Sequence, residues 1–512
     1  MAAISKFERT LCFGLIGLGV ILRVWIHYPT DFWEDEIIAG THAVQPFPSI
    51  LWNIFRNDFH GPLFFLQLHV WGLVSHSDIW LTLNPVAWGL AAMASMWWTA
   101  NRLYGERVAL LAAAIFAVLP SAGYMADQLR MYSMLATLII WLFYFTNRVF
   151  AQPHTSRTLL AQAVLLLAVV NMHAIAFLAV MMNGFYALHL LLAQRAERRA
   201  YITWLVLYGL AALAALPWLA SDLLHDANFP SGTFLHGLIS SMADTAAGNI
   251  GDVVPLFLIP GFIAFAAVCA IGLSSPRTRP MTWIFILAPI LLSTALAVFL
   301  KPIYKWNFFS TMEAPFIALI PALVLAAPQV SRRMRTAVIP AFVALLCAVS
   351  IATRLMVHVS SGYRDNAGLI RANWQPGDIV FVPQLSMFWG TAWYLAGSDW
   401  RSPLAIEAPP SPQWQKLFRL LGPRLVKIMH LTPEGQLLRA GDIRILTGND
   451  SAPQAQGARR IWLLTVPRAD LKPGYPPPSL NGLTPQWSDR THLWVTLYAA
   501  APQTVAAPPV AD

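Results

Sequence analysis

Long apolar runs alternate with short polar segments along the first 357 residues of the chain. A helix needs about 20 mostly apolar residues to cross the hydrocarbon core of a bilayer, and fewer at the short end of the range. Eleven runs meet this requirement and predict membrane-spanning helices. They lie near residues 11–27, 80–100, 107–122, 132–148, 159–172, 174–192, 201–219, 253–273, 281–299, 313–328 and 336–356.

The Lys and Arg residues between these runs predict the orientation. Fourteen of them fall in loops on one side of the membrane, and the short loops of the other side contain only Arg56, Arg130, Lys301 and Lys305. The richer side is expected to be cytoplasmic. This alternation holds only if the short apolar segment 62–76 does not cross, so we predict that it forms a helix along the outer interface. The N terminus is then cytoplasmic and the C terminus extracytoplasmic.

The composition agrees with a membrane protein. Hydrophobic residues make up 57% of the 512 residues and charged residues 12%, which is too few charges for a soluble protein of this length. The net charge of +9 does not indicate nucleic-acid binding, because the basic residues form short clusters between apolar runs. All three cysteines lie inside apolar runs, which predicts buried thiols rather than disulfides or a metal cluster.

The pattern changes after residue 357, where the chain becomes Pro-rich and contains no run long enough to span a membrane. The predicted elements are a helix at 363–374 and strands at 378–382, 461–466 and 493–497, with loops at 407–413, 450–457 and 473–485. We therefore predict an all-α membrane domain over 1–357, a small extracytoplasmic α/β domain over 358–500 and a disordered tail over 501–512.

This predicted topology places several polar side chains at the outer ends of the spans. The candidates are Trp33, Asp35, Glu36, His60, Asp127, Arg130, Tyr132, His173, Lys301 and Lys305. A carboxylate at a lipid interface can act as a general base toward an acceptor hydroxyl or amine. Arg and Lys side chains can hold a phosphate group.

Simpler interpretations exist for several of these residues. Glu34 and Glu36 could cap the helix that begins near Ile37, because acids favour a helix N-terminus. Arg130 could be an anchor that snorkels to the interface. The two histidines could be ordinary polar residues at helix ends, since no His pair has metal-site spacing.

Four short motifs at these positions resemble those of a known family. They are Trp-Glu-Asp-Glu at 33–36, His-Gly-Pro-Leu-Phe-Phe at 60–65, Leu-Arg-Met-Tyr-Ser at 129–133 and Asn-Met-His at 171–173. The last three resemble His-Pro-Pro-Leu-Tyr-Tyr, Ala-Arg-Met-Tyr-Ala and Thr-His-Tyr of polyprenyl-phosphate-sugar-dependent glycosyltransferases. The resemblance is to the bacterial branch of the GT-C superfamily, with its protein O-mannosyltransferase-like and aminoarabinose-transferase-like enzymes. It covers about residues 1–360 in layout.

The resemblance implies an inverting transfer of a sugar from a polyprenyl-phosphate donor to an acceptor outside the bacterial inner membrane. Asp35 would activate the acceptor, and Arg130 with Lys301 or Lys305 would bind the donor's phosphate. No cofactor or essential metal ion is expected, because cationic side chains offset the phosphate charge. The family has a Glu two residues before the Arg, whereas this chain has its acid one step earlier, at Asp127, about 100° away around a helix.

The alternative hypothesis is a membrane transporter or lipid flippase. Such proteins carry ionisable residues at mid-depth in their spans and often show internal repeats. Here Arg23 is the one charge well within a predicted span, no repeat is visible, and the acids sit at the outer edge. A third hypothesis is a scaffold with a partner-binding C-terminal domain. It leaves the polar residues around Asp35 and around Arg130 without a function. The sequence specifies neither the sugar nor the acceptor.

Overall fold

The computed structural model divides the chain into two compact units. The first contains Met1–Ile26, Asp58–Phe64 and Thr82–Val357, and the second contains His27–Asn57, Phe65–Leu81 and His358–Asp512. The residues that the structure describes are 4–24, 31–44, 47, 61–151, 155–173, 176–224, 238–239, 242–243, 246, 258–299, 306–327, 330–356, 362–382, 385–395, 437–440, 443–447, 458–465, 484–489 and 494–499.

Helices account for most of the described residues. In chain order they are α1 (Lys6–Val24), α2 (Glu34–Val44), α3 (Leu63–Gly72), α4 (Asp78–Tyr104), α5 (Glu106–Ala117), α6 (Pro120–Asp127), α7 (Tyr132–Phe150), α8 (Ser156–Val170), α9 (Ala176–Gln194), α10 (Arg198–Leu224), α11 (Leu258–Leu273), α12 (Arg279–Thr282), α13 (Ala288–Phe299), α14 (Trp306–Ala326), α15 (Ile339–Met356), α16 (Tyr363–Ala372) and α17 (Leu385–Leu395). Two π-helical segments, Trp283–Leu287 and Met334–Val338, lead into α13 and α15. Every predicted span coincides with one or more of these elements.

Within the described residues, five helices are long and apolar enough to cross a membrane, or six if the bent pair α5–α6 is one span. The five are α4, α7, α9, Arg198–Leu216 within α10, and Met334–Leu355. Shorter apolar helices, among them α8 and α11, occupy further predicted spans. The chain is therefore a polytopic, mainly helical membrane protein, while the number of eleven spans stays a prediction.

The span predicted at 107–122 is broken in the structure. α5 ends at Ala117, α6 begins at Pro120, and the two helices are bent by 60° relative to each other. Proline has no backbone N–H and its ring clashes with the carbonyl four residues earlier, so the regular hydrogen bonds stop here. The sequence predicted a span at 107–122 but not this break within it, because hydropathy does not report how backbone carbonyls are paired.

Side chains from two other helices bind the carbonyls that the break exposes. Arg23 of α1 is fully buried and donates from Nη2 to the Phe116 oxygen at 3.0 Å and from Nη1 to the Ala117 oxygen. Ser350 of α15 donates to the Val118 oxygen at 2.9 Å. A carbonyl without a partner in hydrocarbon costs several kcal/mol, so these bonds allow the helix to break inside a membrane.

The contact between α1 and α5 requires a glycine at position 19. A Cβ atom on Gly19 would clash with the carbonyl oxygen of Ala117, whereas one on Gly17 would meet nothing within 4 Å. Small residues allow close approach of helix backbones in membranes, where packing rather than the hydrophobic effect drives association. Gly19 is therefore part of the α1–α5 interface and Gly17 is not.

We expect Gly19→Ala to lower the free energy of unfolding by about 1–3 kcal/mol, the usual cost of overpacking. The matched control Gly17→Ala should change it by less than about 1 kcal/mol, because Ala is the better helix former and nothing obstructs its methyl group. Thermal unfolding of both purified variants in one detergent measures the difference. Equal melting temperatures would contradict the described packing of α1 on α5.

The described strands form one six-stranded mixed sheet in the second unit, in the order β2-β3-β1-β4-β6-β5. The strands are β1 (Ile379–Val382), β2 (Leu437–Ala440), β3 (Ile443–Thr447), β4 (Arg460–Thr465), β5 (Thr484–Asp489) and β6 (Trp494–Ala499). β1 pairs in parallel with β3 and β4, and the other pairs are antiparallel. The predicted helix at 363–374 and three predicted strands match α16, β1, β4 and β6.

The sequence did not predict α17, β2, β3 or β5. The loop predicted at 473–485 overlaps the first two residues of β5, Thr484 and Pro485, and the prediction was wrong there. β5 is an edge strand, where proline is tolerated because one side of the backbone needs no partner. The loops predicted at 407–413 and 450–457 and the tail at 501–512 lie outside the described residues.

A buried ion pair joins the starts of β1 and β4. Arg460 Nε lies 3.2 Å from Asp378 Oδ1, and Asp378 Oδ2 accepts a hydrogen bond from Trp462 Nε1 at 2.9 Å. Arg460 Nη2 also donates to the Asn373 carbonyl at the end of α16. These bonds fix α16 against the sheet that follows it.

Candidate active site

Asp35 lies in the first turn of α2, in the second unit. The carbonyl of Trp33, just before the helix, accepts hydrogen bonds from the Glu36 and Ile37 N–H groups, both at 3.0 Å. The Trp33 N–H donates in turn to Glu36 Oε2 at 3.1 Å, the side-chain half of a capping box. Glu36 is therefore the cap that the simpler interpretation proposed, while Asp35 is half-buried beside it. The side chain of Glu34 lies outside the described part of the chain.

A second acid of this segment caps a helix far away in the sequence. α16 follows Gly362, which has φ 76° and no side chain with which to cap the helix. Asp31 Oδ2 accepts a hydrogen bond from the Arg364 N–H at 3.1 Å, across 333 positions of sequence. A carboxylate at this point satisfies an orphan donor and suits the positive end of the helix dipole.

The residues around Asp31 form a hydrogen-bonded group in the second unit. The Phe32 N–H donates to the Tyr394 hydroxyl oxygen at 2.7 Å. The Asp78 carboxylate accepts from Arg364 Nη2 at 3.0 Å and from Trp393 Nε1 at 3.1 Å. The Arg364 guanidinium also stacks over the Tyr394 ring, 5.3 Å from its centroid. Burial raises the pKa of the Tyr394 phenol, so its hydroxyl stays protonated and neutral.

Arg130 belongs to the first unit and lies in the tight turn between α6 and α7. Its N–H donates to the Gln128 carbonyl at 2.6 Å, and Tyr132 begins α7 two residues later. Arg130 is only 3% exposed and Tyr132 is also buried. A snorkelling anchor would leave its side chain on the surface, so this burial favours a role inside the protein.

Asp127 ends α6 and forms an ion pair with Arg354 in the last turn of α15. Arg354 Nη2 donates to Asp127 Oδ1 at 2.6 Å, and Nη1 pairs with the other carboxylate oxygen. The same small pocket is lined by Arg23, Tyr124 and both members of the pair. No motif marks Arg354 in the sequence, since it is a single cation at the end of an apolar run.

The His-Gly-Pro-Leu-Phe-Phe and Asn-Met-His motifs contact each other within the first unit. The Leu63 N–H donates to the Asn171 carbonyl at 3.1 Å, and a Cβ atom on Gly61 would clash with the Asn171 backbone. His173 lies three residues beyond the end of α8 and is buried. The glycine of the His-Gly-Pro motif is thus needed for a close backbone contact. His60, Lys301 and Lys305 lie outside the described residues.

The sequence interpretation overlooked Glu313. It lies two turns into α14 and is fully buried, and the nearby Thr311 hydroxyl donates to Met125 Sδ of α6 at 3.1 Å. Carboxylates inside membrane helices are expensive and generally functional. The signal was a lone acid near the start of an apolar run. Across the described ranges, no group of three or more His, Cys, Asp or Glu side chains could hold a metal ion.

No protein-family model matches the sequence, and no curated protein matches it. The structure is similar to ArnT from Cupriavidus metallidurans in the apo state, with 12% identity, a TM-score of 0.56, and coverage of 96% of this chain and 99% of that one. For ArnT of the same organism bound to undecaprenyl phosphate, the identity is 13% and the TM-score 0.55, with 99% of this chain and 100% of that chain covered.

Identities this low show a shared fold and nothing finer. The chain shares a polytopic, mainly helical membrane fold with ArnT, which agrees with the membrane architecture that the sequence predicted. Asp35 and Arg130 belong to different compact units, and their convergence on one substrate stays a prediction.

Proposed function

We propose that this protein is an inverting glycosyltransferase that moves a sugar from a polyprenyl-phosphate donor to an acceptor outside the cytoplasm. The observation that carries the proposal is the likeness, over 99% of the chain, to ArnT bound to undecaprenyl phosphate. The acidic segment at the start of α2 and the buried Arg130 supply the two kinds of side chain that this reaction needs.

In the proposed reaction Asp35 is the general base. It takes a proton from the acceptor hydroxyl or amine as that atom bonds to the anomeric carbon of the sugar. The bond from that carbon to the phosphate oxygen breaks, and the lipid phosphate leaves with the electron pair. One carboxylate is enough, because the reaction inverts the anomeric carbon and phosphate leaves without a strong acid. Asp31 and Glu36 both accept backbone hydrogen bonds at helix starts.

The donor phosphate is assigned to Arg130, Tyr132 and either Lys301 or Lys305. Arg donates bidentate hydrogen bonds to phosphate and Lys contributes a compact charge. His60 and His173 are assigned to the substrate. Trp33 joins them, because none of the described residues accepts a hydrogen bond from its buried indole N–H, which suits a sugar hydroxyl.

The proposed location is the bacterial inner membrane, with the N terminus in the cytoplasm and the C-terminal domain outside. An enzyme there has no nucleotide sugar, so a lipid-linked donor is the chemically suitable one. Mannose, aminoarabinose and other hexoses or pentoses are all candidate sugars, and the acceptor is a protein, a lipid or a polysaccharide.

The proposal is tested by incubating the purified protein with a panel of polyprenyl-phosphate sugars. Release of free polyprenyl phosphate, measured by mass spectrometry, is expected with at least one donor. A flippase reconstituted in vesicles would instead move the intact lipid between leaflets. Movement without any cleavage, across the whole panel, would reject the glycosyltransferase.

Replacing Arg130 by Ala should raise the donor KM about 10- to 100-fold, because hydrogen bonds to a charged group contribute roughly 1.5–3 kcal/mol. Arg157→Ala, which removes an exposed arginine in the first turn of α8, is the matched control and should leave the KM unchanged. Steady-state kinetics with the active donor provide the measurement. An unaltered donor KM in Arg130→Ala would remove this residue from the phosphate site.

A further inference from the structure

The segment that carries Asp35 is tied to the C-terminal part of the second unit immediately before the proposed base. Phe32 donates its N–H to Tyr394, and Asp31 accepts the N–H of Arg364. Both bonds lie within four residues of Asp35, and both connect positions more than 330 residues apart in the sequence. The first turn of α2 is therefore not fixed by local structure alone.

The residues that bind this segment are fixed in turn by further contacts. Asp78 bridges Arg364 and Trp393 through its two carboxylate oxygens. Trp393 is fully buried, and Tyr394 is 7% exposed with the Arg364 guanidinium over its ring. A hydrogen-bond acceptor packed in this way keeps one position, because neither its rotamer nor its neighbours can move without losing other contacts.

α2 also packs directly on α17. A Cβ atom on Gly40 would lie 2.9 Å from the Trp393 ring, so the helix backbone rests against the indole. The Trp393 and Phe32 rings lie 6.1 Å apart between centroids. Contacts before the helix and on its second turn together define the position and direction of the turn that contains Asp35.

We propose that Arg364, Trp393 and Tyr394 are positioning residues for Asp35, and that one function of the C-terminal domain is to orient the base. This inference rests on the proposed function. General-base catalysis requires the base within hydrogen-bond reach of its proton, and a displacement of about 1 Å costs on the order of 100-fold in rate. The domain therefore contributes to the chemical step through residues that do not touch the substrate.

Tyr394→Phe tests the proposal with the smallest change, because it removes the oxygen that accepts the Phe32 N–H and keeps the ring. We expect kcat, followed as polyprenyl phosphate release from the active polyprenyl-phosphate sugar, to fall about 10-fold with an unchanged donor KM. Tyr498→Phe is the matched control, since Tyr498 is a buried tyrosine of the sheet core. Its kcat should equal that of the parent.

Hydrogen exchange tests these positioning contacts without a measurement of enzyme activity. In Tyr394→Phe and in Asp78→Asn, the amides of residues 31–44 should exchange faster than in the parent, while those of β1 and β4 should not change. Unchanged exchange at 31–44 in both variants would overturn the proposal, and so would faster exchange with an unchanged kcat.

A double variant separates this inference from the proposed function. If Tyr394 acts through Asp35, Tyr394→Phe should lower kcat in the parent but have no further effect on the residual rate of Asp35→Asn. An equal loss in both backgrounds would overturn the positioning role. Full activity of Asp35→Asn alone would instead reject Asp35 as the base.

Discussion

Replacing Asp35 by Asn should reduce sugar transfer by about 10²- to 10⁴-fold, the usual contribution of a general base. The amide keeps the size and hydrogen-bonding capacity of the side chain but cannot take a proton at neutral pH. The variant should remain folded, because Asp35 is half-buried in the first turn of α2 and the cap of that helix is Glu36. The rate of polyprenyl phosphate release from the active donor measures the effect.

Two further variants control this experiment. Asp365→Asn makes the same change in the first turn of α16, at an exposed position, and should have full activity. Glu36→Gln should be close to the parent enzyme, because Gln can still accept the Trp33 N–H in the capping box. If Glu36→Gln loses as much activity as Asp35→Asn, the assignment of the base to Asp35 is wrong.

Asp127→Leu should lower the free energy of unfolding by roughly 3 kcal/mol, the low end for breaking a buried ion pair. Its partner Arg354 keeps 8% of its side-chain surface exposed and Asp127 keeps 29%, so screening by water is limited but present. The variant leaves Arg354 and Arg23 in the same pocket without the carboxylate. Thermal unfolding with a thiol-reactive dye can follow this loss, because Cys12 is buried and Cys269 and Cys347 are half-buried.

The double variant Asp127→Leu/Arg354→Leu should recover most of this stability, because two apolar side chains replace both charges. It also tests whether Asp127, which the sequence analysis named as a candidate site residue, takes part in the reaction. A stable and active double variant assigns Asp127 to structure alone. A stable double variant that has lost transfer would give Asp127 or Arg354 a part in the reaction.

The helical architecture could be predicted because the mean hydropathy of a segment depends only on the residues within that segment. Each apolar run long enough to span a bilayer corresponds to helical elements of the structure. The distribution of Lys and Arg gave a second criterion, which predicted that the segment 62–76 does not cross the membrane. The structure has a helix of only 10 residues there, Leu63–Gly72, which is about half the length of a span. The cap at Glu36 was also within reach of sequence reasoning, because it follows a local backbone rule, whereas Gly61 is required by its contact with the distant Asn171 backbone.

The connections between distant residues were not predictable in this way. Arg23 looked like an isolated charge inside a span, but besides the Gly19 carbonyl it donates to carbonyls 93 and 94 positions away. Asp31 is one of four acids between residues 31 and 36 in the sequence, but it caps a helix that begins beyond residue 360. The strand β5 has the sequence Thr-Pro-Gln-Trp-Ser-Asp, which has no apolar pattern that would distinguish it from a loop.

By itself, the sequence determined the membrane class, the approximate helices and the residue types available for phosphate and proton transfer, because these depend on composition, period and local order. Only the tertiary structure showed which acids make structural contacts. Asp31 and Glu36 cap helices, and Asp127 is paired with Arg354. It also showed that α16 and α17 hold the segment before Asp35. The physical reason is that a hydrogen bond depends on distance in space, and folding sets that distance for residues hundreds of positions apart.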